Sequence, residues 1–254
     1  MTGKHALVCG ASKGIGQACA IELARAGARV TVLARSQQNL EATMKSLEGL
    51  GQGHRPVVCD VSDLNQVRAA VAIIGVDVDI LVCNSGGPNP GLLLAAETES
   101  LGAAFTQHVL ANLLLVQAFV PHMRAHKFGR IINIISTSVK IPLPNLGVSN
   151  TVRGAVASWA KTLAGELGPH GITVNNILPG YTSTQRLEQI LVNNVQKTGQ
   201  SREEVEKGFL KDVPVGRFAE AQELAYACVF LASPMAGYIN GINLPVDGGR
   251  TGCL

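Results

Sequence analysis

Aromatic side chains are scarce in this chain, with one Trp, three Tyr and six Phe among 254 residues. Phenols are therefore confined to Tyr181, Tyr226 and Tyr238. Charge is sparse too, at 15%, and the net +3 comes from Lys and Arg scattered singly, without the run or stripe that nucleic acid or an anionic membrane surface calls for. Neither partner is expected. No charged and apolar leader opens the sequence. Met1-Thr2-Gly3-Lys4-His5-Ala6-Leu7-Val8 enters a strand pattern directly, which argues against secretion. Long hydrophobic runs are missing as well: Leu113-Leu114-Leu115-Val116 is interrupted by Asn112, Gln117 and Pro121 well short of a membrane span. The six cysteines, Cys9, Cys19, Cys59, Cys83, Cys228 and Cys253, stand far apart and mostly inside apolar runs, as small buried thiols do in a reducing cytoplasm. His122 and His126 share a helical face without Cys, Asp or Glu ligand spacing, so no metal site is expected.

What the chain does have is length and apolar content, 46% hydrophobic, enough for one large buried core. Short β-branched runs at Ala6–Cys9, Ala28–Ala34, Pro56–Cys59, Ile80–Cys83, Arg130–Ile135, Ile172–Ile177 and Ile242–Val246 alternate with longer helical patterns. The helical patterns are Gly14–Ala26, Gln37–Leu50, Leu64–Ile73, Leu101–His126, Thr151–Leu167 and Ala221–Leu231. That alternation predicts an α/β fold: a Rossmann-type doubly wound parallel sheet of about seven strands flanked by helices, in a single domain over residues 1–254. The stretch outside the alternation, Tyr181 to Val213, is polar with two short helical patterns. It reads as a mobile lid over a substrate site.

In such a sheet, ligands bind at the carboxyl ends of the strands. After the first strand comes Cys9-Gly10-Ala11-Ser12-Lys13-Gly14-Ile15-Gly16, opening a helix. Glycines there permit a tight turn and bring a pyrophosphate onto the helix N-terminal amides. The second strand ends at Ala34-Arg35-Ser36, where an NAD enzyme usually places a carboxylate on the ribose 2′-hydroxyl. With that acid missing and Arg35 and Lys13 positioned to pair with a 2′-phosphate, the expected cofactor is NADP(H).

These residues resemble the short-chain dehydrogenase/reductase family, in particular its 3-oxoacyl-carrier-protein reductases, over nearly the whole chain. Cys83-Asn84-Ser85-Gly86-Gly87 is similar to the family's Asn-Asn-Ala-Gly segment, and Asp60-Val61 to its adenine-contacting pair. Asn112 falls in the helix that carries the family's structural and catalytic Asn. Gly129 to Ser136 resembles the strand ending in the catalytic Ser, and Pro179-Gly180 with Thr184 the segment flanking the nicotinamide. Pro214 to Phe218 and Val246-Asp247-Gly248-Gly249 are similar to its closing motifs. The resemblance implies a small carbonyl or alcohol substrate, and a homodimer or homotetramer built on the helices containing Asn112 and Trp159.

The departures from the family pattern concern chemistry. Cys9 replaces a Thr, and its place beside Cys83 leaves a redox-sensitive pair or two inert thiols as alternatives. Ser149 and Arg153 stand where the family carries Tyr-x-x-x-Lys. Reducing a ketone leaves an alkoxide that needs a proton. The family's phenol, of reference pKa about 10, supplies it, whereas an aliphatic hydroxyl is too weak and too short. Arg153 is still able to hold the nicotinamide ribose, while Lys140, beyond Ser136, and Tyr181, beyond Pro179-Gly180, are the substitute donors. The expected activity is an atypical NADP(H)-dependent oxidoreductase that reduces a carbonyl or oxidises an alcohol. The alternatives are a catalytically silent NADP(H)-binding sensor or partner subunit, and a lyase or isomerase using the same crevice.

Overall fold

A computed structural model describes residues 1–253. Seven strands form one parallel sheet: β1 (His5–Cys9), β2 (Arg29–Ala34), β3 (Arg55–Val58), β4 (Ile80–Cys83), β5 (Gly129–Ile134), β6 (Ile172–Pro179) and β7 (Asn243–Val246). Their order is β3-β2-β1-β4-β5-β6-β7, so strand order reverses between β1 and β4. Both sheet faces are covered, which is why the strands read as unbroken apolar runs. Alternate residues of β1 serve opposite layers. Ala6 and Val8 pack with α1 (Gly14–Arg25) and α9 (Ala221–Ala232), while Leu7 and Cys9 pack with α3 (Leu64–Ile74), α5 (Ala111–Ala125) and α6 (Gly147–Leu167). α2 (Gln37–Leu47) lies on the α1 side through Leu40 and Leu47.

A row of asparagines pins the last three strands. In-register Asn133, Asn176 and Asn243 are joined by amide hydrogen bonds, Asn133 to Asn176 and Asn176 to Asn243, each 2.8 Å. Because buried amides must be paired, a register slip would orphan them. The ladder thereby fixes where β6 and β7 end and how their exits meet: a Cβ on Gly180 would lie 2.6 Å from the Asp247 Cα.

Two helices differ from the sequence expectation. α6 begins at Gly147, a turn earlier than Thr151; no side chain caps it at Leu146, so the start signal that would mark it in the sequence is missing. Ser149 is therefore helical. The helix expected from Leu101 starts at Thr98 as α4 (Thr98–Phe105) and passes through a π turn at Thr106–Leu110 into α5. Thr98–Ala125 is thus 28 residues and contains an 18-residue window of mean hydropathy 1.5, long and apolar enough to cross a membrane by composition. Here it is a core helix, packed on α3 and α6 and burying Leu115, Phe119 and Met123. The expected lid contains α7 (Gln185–Thr198) and α8 (Arg202–Leu210). These helices share a small core of Leu187, Leu191 and Val205, with Tyr181, Phe209 and Phe218 against it. A Ser201/Glu204 capping box starts α8, and Arg202 grips Glu188 with two 2.7 Å bonds.

Candidate active site

The carboxyl ends of β1, β2, β4, β5 and β6 open on a crevice of about 490 Å³. The turn after β1 forms its middle. Gly10 has φ of 61° and faces Asn84, whose backbone oxygen would lie 2.6 Å from an added Cβ. At Gly16 an added Cβ would lie 2.3 Å from the Gly10 oxygen, so α1 starts against the turn only because both residues are glycine. Asn84 ties β4 to this turn by donating to the carbonyls of Cys9 (3.4 Å) and Gly10 (3.3 Å). Ser12, Lys13, Gly14 and Ile15 line the crevice directly, and Lys13 also donates to Gln185 at the start of α7.

At the end of β2, the Arg35 side chain is 76% exposed and 3.7 Å from the Asp60 carboxylate. So exposed a pair contributes at most about 1 kcal/mol, which leaves the guanidinium available to a stronger anion. Asp60 itself accepts from the Ser62 N–H and hydroxyl at 2.9 and 2.7 Å, and with Val61 it closes this end.

Arg153 lies at the other end. It is 7% exposed and donates to the carbonyls of Ile134 (3.1 Å) and Ser85 (3.4 Å). No carboxylate pairs with it among the described residues. Burial pulls its pKa down to about 10, so the guanidinium stays charged at neutral pH. Ser149 stands one turn earlier on the same helical face. Across the crevice lie Pro179, Gly180, Tyr181 and Thr184. Thr184 caps α7 through the Leu187 N–H and stands beside Gly14.

Ser136, Lys140, Ser149 and Asn112 are not among the crevice-lining residues. Ser136 directly follows Ile134 and Ile135, which are, and its hydroxyl accepts from the Ser138 N–H at 3.0 Å. This contact starts the 3₁₀ turn Thr137–Val139 that Lys140 closes. Asn112 is half-buried on α5, one turn beyond the residues that do reach the site. The π turn delivers Gln107 and His108 instead. Gln107 donates to the Gly86 carbonyl at 3.0 Å, and His108 Nδ1 shares a 2.8 Å hydrogen bond with Ser85 Oγ. Asn112 is expected from the family resemblance alone, and the residues that meet the Ser85–Gly86 segment lie one turn earlier, in the π turn. His108 is 2% exposed with Nε2 unpartnered, and burial together with Arg153 lowers its pKa to about 3. It is a neutral imidazole wedged under the Ser85 segment. The sequence signal for it was a lone histidine on an otherwise apolar helix face.

Cys9 and Cys83 are both buried free thiols, and burial raises the Cys9 pKa to about 12. Of the two alternatives for this pair, the inert one fits, since a thiol held protonated is a poor nucleophile.

Residues 10–251 match the family model described as enoyl-(acyl carrier protein) reductase. The chain is 36% identical to the short-chain reductase protein NovJ of Streptomyces niveus, over 96% of this chain and 93% of that protein. It is also 36% identical to the 3-oxoacyl-[acyl-carrier-protein] reductase FabG of Haemophilus influenzae, over 98% of each. The solved L-sorbose reductase of Gluconobacter frateurii, complexed with NADPH and L-sorbose, superposes with a TM-score of 0.94 at 32% identity, covering 100% of this chain and 98% of that one. With its glycine turn, sheet order and crevice, the chain belongs to the short-chain dehydrogenase/reductase family.

Proposed function

We propose that this protein is an NADP(H)-dependent oxidoreductase that reduces a carbonyl, or oxidises the corresponding alcohol, without the usual phenol and lysine pair. The observation that carries this reading is a single crevice running from Arg35, past the glycine turn, to the buried cation Arg153. The site fits the cofactor. A Cβ at Gly86 would meet nothing within 4 Å, so the backbone there leaves open space for a ligand, and no acid at Ala34-Arg35-Ser36 opposes a 2′-phosphate. Lys13 and Arg35 hold the phosphates, Asp60 and Val61 the adenine, Asn84, Ser85 and Gly86 the backbone of the dinucleotide, and Arg153, Pro179, Gly180 and Thr184 the nicotinamide end. When bound, NADP(H) supplies or accepts the hydride.

The chain's own task is then to orient the substrate oxygen and to move one proton. Ser136 is the orienting hydroxyl, at the end of β5 and fixed by its own turn. Ser149 is too weak an acid to protonate an alkoxide, which leaves Tyr181, in the crevice wall, or Lys140 as the donor. The lid of residues 181–213, hinged where Ser183 donates to the Ala219 carbonyl and Ala219 to that of Tyr181, closes over the substrate. Self-association into a dimer or tetramer completes the reading.

Two measurements test it. Fluorescence titration should show NADPH binding more tightly than NADH, and Arg35→Asp should narrow or reverse that order; equal affinities in the unmodified protein would overturn the cofactor assignment. In a screen of NADPH oxidation against ketones, acyl thioesters and quinones, Ser136→Ala should lose most of the turnover while keeping NADPH affinity. An unmodified protein silent across the whole screen would favour the cofactor-binding sensor instead.

A further inference from the structure

The turn after β7 carries a cation to which the roles above give no task. Asp247 accepts from the N–H groups of Gly249 (3.0 Å) and Thr251 (2.8 Å), folding the chain back over the end of β6. Arg250, itself outside the crevice lining, is thereby laid behind one residue of the crevice wall. Its guanidinium carbon is 4.4 Å from the centroid of the Tyr181 ring, and its Nη1 is 3.5 Å from Thr137 Oγ1. Tyr181 is crevice wall, and Thr137 follows the orienting Ser136. The cation is therefore bracketed between one residue of the crevice wall and the residue that follows Ser136.

Little in the protein satisfies this cation. Among the described residues no carboxylate pairs with Arg250, and its Nε is buried without a hydrogen-bond partner. One long contact to a hydroxyl leaves most of its five donors unused. Asp60, the one acid lining the crevice, lies at the opposite end beside Arg35. Lys13 and Arg35 are spent on the cofactor phosphates, and Arg153 on two carbonyls. No acid lines the crevice at the substrate end, and the nearby Asp247 carboxylate is engaged by the Gly249 and Thr251 N–H groups.

The geometry points to Arg250 as the anchor for a carboxylate on the substrate, making the preferred substrates oxo acids. A guanidinium whose face is covered by an aromatic ring presents its planar edge, which matches a carboxylate in a bidentate pair. The reaction adds one hydride to the carbonyl carbon and one proton to its oxygen, giving a hydroxy acid and leaving the carboxylate unchanged. This inference rests on the carbonyl-reductase reading, so its test needs one arm that does not depend on turnover.

Initial rates with 3-oxobutanoate and 4-oxopentanoate, each beside its methyl ester, form the kinetic arm. The acids should be preferred over the esters, and Arg250→Gln should raise KM for the acids about 10- to 100-fold, the worth of a hydrogen-bonded charge, with KM for the esters unchanged and any change in kcat shared by both. Arg250→Lys should recover part of the loss. In the second arm, calorimetric titration of the NADPH-loaded protein with pentanoate, which has no carbonyl to reduce, should show binding that Arg250→Gln removes. Binding of pentanoate without turnover of any oxo acid would leave the anion site standing and refute the reductase reading. Equal preference for acids and esters, equal rises in KM for both in Arg250→Gln, or pentanoate binding that survives Arg250→Gln would overturn the anchor.

Discussion

Placing a phenol and an ammonium on α6, by Ser149→Tyr with Arg153→Lys in a Tyr181→Phe background, should raise the rate of carbonyl reduction about 10²- to 10⁴-fold, the usual contribution of a positioned general acid. The backbone is already suited to the pair. Positions 149 and 153 lie one turn apart on the same face of the helix, and the side chain at 153 reaches the carbonyls of Ile134 and Ser85 at the crevice floor. A phenol one turn earlier comes beside that cation, which favours its ionised form and so makes it a stronger acid than an isolated tyrosine. Ser149→Tyr alone, with Arg153 kept, should deliver part of the gain. Arg153→Lys alone should give none, because it replaces a planar fork on two carbonyls with a point charge and adds no acid. The measurement is initial rate of NADPH oxidation on a substrate from the screen, with NADPH affinity and Tm followed in parallel. A double variant in this background that folds, binds NADPH as before and turns over no faster than the background would show that proton delivery does not limit this enzyme. A rate appearing where the natural chain has none would mark the natural chain as a cofactor-binding protein. His108 adds no titration of its own: held near 3 by burial and by Arg153, it is neutral across the working range, so no imidazole step belongs in the pH profile.

How much of this was legible beforehand depended on whether the signal was local. Strand runs such as Ile80–Cys83 match the observed β4, and all seven strands fall within a residue or two of their sequence limits, because a doubly covered sheet demands continuous apolar segments. The glycine turn, Arg35, Asp60 and Asn84 converge on one crevice, since each follows a strand end and parallel strands send all their carboxyl ends the same way. What escaped was local helix geometry and tertiary approach. The π turn at Thr106–Leu110 carries His108 and Gln107 to the Ser85–Gly86 segment, whereas Asn112 lies one turn farther along and does not line the crevice. Nothing in the residue pattern announces a π turn. Arg250 lies at the end of the chain beyond a glycine pair, and its place beside Tyr181 depends on the Asp247 turn and the asparagine ladder, features that exist only once β5, β6 and β7 are in register.

Tyr181→Phe should cost about 10²- to 10⁴-fold in turnover while leaving NADPH affinity unchanged, and Lys140→Met should cost less. Both residues were candidates for the missing donor, and their surroundings separate them. Tyr181 is in the crevice wall immediately after Gly180, with its ring 4.9 Å from Phe209, 6.3 Å from Phe218 and beneath the Arg250 guanidinium. A ring held from three sides presents its hydroxyl in one direction at little entropic cost, as a proton donor must. Lys140 closes the 3₁₀ turn with its N–H on the Thr137 carbonyl, and it is absent from the crevice lining. Removing only the hydroxyl keeps the ring and its packing on the lid core, so a fall in kcat at constant KM and constant Tm isolates the chemistry from the fold. A matching loss in a thermal melt would instead identify Tyr181 as a packing residue of the lid. Should both variants keep the full rate, the donor is neither side chain, and the proton must come from solvent admitted between Ser136 and Ser149. In that case the solvent deuterium isotope effect on turnover should persist undiminished in Tyr181→Phe, whereas a phenol donor requires that effect to change when the hydroxyl is removed.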